Sequence, residues 1–89
     1  MSLVPTPQAL LVLKDPEQEI ELGQRYWGYI YQDKIPGGHH PFSDGDLVFI
    51  SQVTGMGHEN GAHIVRTISD SIYRIVTREE LTKIQEAQA

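Results

Sequence analysis

Gly45-Asp46-Leu47-Val48-Phe49-Ile50-Ser51-Gln52-Val53, then Ile64-Val65-Arg66-Thr67-Ile68-Ser69-Asp70-Ser71-Ile72-Tyr73-Arg74-Ile75-Val76, are the stretches that decide the fold. They hold three short β-branched and aromatic runs, 47–53, 64–68 and 72–76. Such residues suit a pleated, half-buried surface. A glycine-rich loop at 54–62 separates the first run from the second. Only Ser69-Asp70-Ser71 separates the second from the third, and so short a connection forces an antiparallel hairpin. The run 47–53 opens apolar on both faces, which predicts a central strand. With Asp70 taken as the turn centre, Ile68 would face Ile72 and Arg66 would face Arg74. Like charges placed opposite one another call for an anion or carboxylate between them.

Working outward, Arg25–Gln32 is rich in strand-favouring aromatics. Period two sets Tyr26, Gly28 and Ile30 on one face and Trp27, Tyr29 and Tyr31 on the other. Ala9–Lys14 is a short apolar run that ends at Asp15-Pro16, as a strand before a turn does, and a rival reading makes Asp15 the N-cap, Pro16 the first residue and Gln18 the capping-box partner of a helix. Glu19-Ile20-Glu21-Leu22 alternates as a half-buried strand would. Residues 33–46 form a long polar loop with Pro36, Gly37, Gly38, Pro41 and Gly45. Thr77-Arg78-Glu79-Glu80 has the capping-box pattern of a helix start. Leu81 and Ile84, three apart, can dock together on an edge of the sheet. The whole predicts one domain over 1–89: a tail (1–8), a sheet or barrel (9–76) and a C-terminal helix (77–87). Its class is all-β, mainly antiparallel, a small barrel or curled sheet of about five strands.

Eighty-nine residues make one small domain with a thin core. The chain has no cysteine. That excludes thiol catalysis and thiolate metal clusters, and it favours a reducing compartment such as the cytoplasm. The net charge is −5, with the seven basic residues scattered. A phosphate-binding surface normally needs a basic stripe, so direct nucleic-acid binding is disfavoured. The longest apolar run is far short of a membrane span. The N-terminal stretch shows no secretory signal pattern.

Several groupings are candidates for chemistry. Trp27, Tyr29 and Tyr31, with Arg66 and Arg74, form a candidate binding face for a protein partner. The aromatics are equally explained by strand preference. Asp15, Glu17, Glu19 and Glu21 form an acidic comb, with Glu17, Glu19 and Glu21 on one face if the segment is a strand. It reads as an edge kept soluble by charge, or as a docking edge for a basic partner. In the second case the protein could be an acidic mimic of nucleic acid that inhibits a host protein. His39, His40, His58 and Glu59 are the candidate ligands of a metal-binding protein or metal-dependent enzyme. The geometry opposes that site. A straight strand at 47–53 would hold His39 and His40 about 23 Å from His58 and His63, at ~3.3 Å per residue. No metalloprotease spacing, nucleophile elbow, phosphate loop or dinucleotide fingerprint occurs. Asp33, Asp44, Asp46 and Asp70 are preferred turn residues. No catalytic residue and no cofactor are therefore assigned.

The order of elements resembles an SH3-like small barrel. Phe42-Ser43-Asp44-Gly45-Asp46-Leu47-Val48, with Gly61 and Ile64–Arg74, is also similar to small uncharacterised proteins of bacteriophages and prophages. Those carry an aromatic-x-x-Gly-Asp segment before a strand and a Thr-x-Asn-Ser-x-Tyr-like hairpin after it. Asp70 stands where an Asn is more usual, which a turn tolerates. The likeness covers about a third of the chain and carries no catalytic residue across. It implies a bacterial or phage origin, host cytoplasm in the latter case, and an accessory role. Together these lead to the expectation of a non-catalytic interaction module that forms a homo-oligomer, since exposed aromatics gain by burial.

Overall fold

The computed structural model describes residues 7–36, 41–59 and 61–88. The elements run β1 (Ala9–Leu13), β2 (Trp27–Tyr31), β3 (Asp46–Phe49), β4 (Val53–Glu59), β5 (Ala62–Thr67), β6 (Ile72–Ile75) and α1 (Arg78–Gln88). All six strands join one sheet in the order β3-β2-β1-β6-β5-β4. β1 and β6 pair in parallel, and the other neighbours are antiparallel. The protein is thus mostly β and mainly antiparallel, with six strands where about five were expected. The sheet is not closed into a barrel.

β1 lies between β2 and β6, and all five of its residues are buried. That explains its run of apolar residues without alternation, since both faces are covered. Leu11 and Leu13 join Tyr26, Ile30, Val53, Val65 and Tyr73 in the main core. Leu10 and Val12 point the other way and pack with Val76 and Leu81, with Tyr29, Tyr31 and Ile84 around them. The helix therefore covers the middle of the sheet, where an edge was expected. The predicted capping box forms: Glu80 N–H donates to Thr77 Oγ1 at 3.0 Å, and Thr77 N–H donates to Glu80 Oε1 at 3.2 Å. The sheet bends over the main core. Gly23 N–H donates to Val53 O at 2.7 Å and Val53 N–H to Gln24 O at 2.9 Å, tying the start of β4 to the approach to β2.

Five expectations are corrected. Residues 19–22 form no strand, because the Tyr26 hydroxyl takes their backbone groups: Glu21 N–H donates to it at 2.6 Å, and it donates to Glu19 O at 3.1 Å. The run 47–53 is not one central strand. β3 stops at Phe49 and is an edge of the sheet. Most of the expected loop 54–62 is strand, β4, paired with β5 from Val53 to Glu59. Finally, the β5–β6 register pairs Arg66 with Ile72 and Ile64 with Arg74. The loop is Ile68-Ser69-Asp70, with Asp70 N–H on Thr67 O at 2.9 Å and Asp70 at φ 62°. A type I turn followed by a left-handed residue is a standard three-residue hairpin loop. It moves the centre to Ser69 and the arginines out of direct opposition. Gln8, expected at the end of a loose tail, is held: its N–H donates to Ile72 O, and its Oε1 accepts Ile72 N–H.

Candidate functional site

The sheet ends in two edge strands, β3 and β4, and among the described residues no strand pairs with the outer side of β3. Trp27 and Phe49 are direct cross-strand partners, and their rings stack at 4.5 Å with 20° between planes. Trp27 sends its carbonyl to β1, where Lys14 N–H donates to it at 3.0 Å. Ile50 N–H donates to Tyr26 O at 3.0 Å. Antiparallel pairs alternate between hydrogen-bonded and non-hydrogen-bonded. Leu47 and Phe49 are therefore in the non-bonded positions and turn their N–H and C=O groups away from β2. Their side chains and that of Trp27 share one face, at 44%, 40% and 48% exposure. The Arg25 guanidinium sits 4.0 Å over the Phe49 ring, and its Nε donates to Ile50 O at 3.0 Å. A cation over an exposed ring contributes about 0.5–1 kcal/mol, so Arg25 helps to hold Phe49 in place while covering one face of its ring.

Of the expected aromatic face, Tyr29 and Tyr31 share the side of Trp27 but are half-buried beside α1. The Arg78 guanidinium lies 5.0 Å from the Tyr29 ring centre. Arg66 and Arg74 occupy the same face of the sheet by register. However, β5 is three strands from β2, about 14 Å at ~4.8 Å per strand. Arg66 is exposed, Arg74 is half-buried, and Arg74 Nε is buried with no hydrogen-bond partner among the described residues. Leu47 and Phe49 were missed as surface residues because an apolar run suggests a central strand.

Around the same edge, and continuous with Trp27, Leu47 and Phe49, lies a cleft of about 830 Å³ whose inner wall includes Ile30, Ile35, Phe42, Val48 and Tyr73. Ser51, Ser69 and Ser71 rim it, with Ser69 Oγ 3.3 Å from Ser51 Oγ and 3.5 Å from Ser71 Oγ. Among the described residues no imidazole or carboxylate hydrogen-bonds these hydroxyls, so nothing there activates a serine. Burial pushes the Tyr73 phenol above its usual range, and Asp33 adds to this against an opposing hydrogen bond with Ser71.

Asp15, Glu17, Glu19 and Glu21 are all exposed, in the irregular connection between β1 and β2 and on no strand. Asp33, Asp44 and Asp46 shape loops. Asp33 accepts from Ile35 and Phe42 N–H, Asp44 from Gln32 N–H, and Asp46 from Ser43 N–H. His39 and His40 lie outside the described residues, as does the side chain of Glu59. His58 and His63 are direct partners across β4 and β5, with rings stacked at 4.4 Å and 23°. Burial, then the neighbouring His58, holds His63 below the usual histidine range.

No protein-family model matches this chain, and comparison with curated proteins and with solved structures gives no match to either.

Proposed function

We propose that this chain is a non-catalytic interaction module that binds a protein segment by strand addition at β3. The reading rests on one observation. Trp27, Leu47 and Phe49 form an exposed apolar patch beside two residues whose backbone groups face outward. Edges are normally blunted by short length, charge, proline or a bulge; β3 is four residues long and opens on Asp46, but it still presents two large apolar side chains. In strand addition, backbone hydrogen bonds supply affinity and alternate side chains supply specificity. Homo-oligomerisation is the same event with a second copy as the segment. An SH3-like kinship, a bacterial or phage origin, an accessory role and a cytoplasmic setting belong to the same proposal.

The test selects extended peptides from a random library on the wild type and counter-selects on Trp27→Ser/Phe49→Ser. The selected peptides should protect the Leu47 and Phe49 amides from hydrogen exchange. Sedimentation of the wild type and the variant reads the homo-oligomer arm. Peptides that bind the double variant equally well, or that leave those two amides unprotected, would sink the reading.

A further inference from the structure

We infer that the β4–β5 hairpin carries a copper site made by His58, His63 and Met56. The observation is a juxtaposition that only the register creates. His58 and His63 are direct cross-strand partners with ring centroids 4.4 Å apart. Met56 pairs with Val65, two residues along the same strand from His58, so it lies on the same face of the hairpin. It is 45% exposed although its partner Val65 is fully buried.

The donor set selects the metal. Imidazole suits several first-row ions, but a thioether ligand selects Cu(I) among them. Two imidazole nitrogens on one ion at ~2.0–2.1 Å stand roughly 3.3 Å apart in a tetrahedral arrangement. In the stack the in-plane lone pairs do not converge, so the two rings must turn out of it to share an ion; as direct cross-strand partners, with Cβ atoms about 4.5–5.5 Å apart, they are close enough to do so. Successive residues on one strand face are about 6.7 Å apart, and the unbranched Met side chain, with three rotatable bonds, can span most of that distance. Among the described residues no three His, Cys, Asp or Glu side chains converge.

The test titrates the full chain anaerobically with Cu(I) against a chromogenic chelator, and separately with Zn(II). The wild type should bind one Cu(I). Loss of a supporting partner alone typically weakens a metal site ~10–100-fold, so His63→Asn or His58→Asn should weaken Cu(I) at least tenfold. Met56→Leu, which conserves volume, should weaken Cu(I) while leaving Zn(II) affinity unchanged. His39→Asn/His40→Asn should leave Cu(I) binding intact. Circular dichroism melts establish that each variant is folded, and a His58→Gln variant replaces any that is not. Cu(I) binding that survives His63→Asn, ignores Met56→Leu, or disappears in His39→Asn/His40→Asn overturns the assignment.

Discussion

At Gly28 the requirement for glycine is steric. A Cβ there would lie 2.8 Å from Leu11 Cγ and 2.9 Å from the Val12 carbonyl oxygen. Leu11 is fully buried at the centre of the sheet and cannot withdraw. Overpacking of this kind costs typically 1–3 kcal/mol, so Gly28→Ala should lower the urea midpoint by that free energy with an unchanged denaturant slope. An unshifted midpoint would mean that β1 and β2 can slide apart locally. Asp70 shows the converse case, since its φ of 62° falls in the left-handed region that Asp tolerates better than most residues. That single conformation sets the register of β5 on β6 and separates the two arginines. At Arg74, the buried Nε without a partner among the described residues is a cost that the surrounding packing carries.

The elements show what a sequence pattern discloses and what it hides. The alternation in β2 was legible: Tyr26, Gly28 and Ile30 are buried, while Trp27, Tyr29 and Tyr31 face the other side. The helix start was legible too, because a capping box is a local device that needs no tertiary partner. Thr77→Ala should therefore cost about 1 kcal/mol, and speed amide exchange in the first turn of α1 more than in β1. Equal protection in wild type and variant would show that docking of Leu81, not the cap, starts the helix. β4 was hidden by its own composition. Gly55 and Gly57 suggested a loop, yet glycine in a strand weakens it without forbidding it. The available signal was Asn60-Gly61, the pair most favoured in two-residue hairpin loops. It stands between the paired residues Glu59 and Ala62, and Gly61 has φ 78°. Reading that dipeptide would have placed His58 opposite His63. β3 could not be read this way, because an edge strand that exposes apolar side chains has the same apolar pattern as a buried one.

At the scale of the whole molecule, one phenol links the core to pH. Tyr73 is buried at the middle of the main core and its folded-state pKa lies above the usual 10.0. Above pH 10.0 the unfolded chain releases this proton first, so it binds fewer protons than the native state, and stability falls as pH rises. The contribution is fully present below that point and is lost as pH passes through the raised value. Urea midpoints measured from about pH 8 upward should fall less steeply in Tyr73→Phe than in wild type. Identical slopes would place the alkaline loss in the other tyrosines. The parallel pairing of β1 with β6 has a different consequence, which concerns the order of events during synthesis. Ala9 meets Tyr73, more than sixty residues later, with no crossover helix to bring them together. Contacts so distant along the chain must first overcome the entropy of closing a long loop. On the ribosome, β2 can pair with β1 early, but the other side of β1 stays open until β6 emerges. For that interval the most apolar strand of the protein is itself a bare edge, exposed to chaperones and to neighbouring nascent chains.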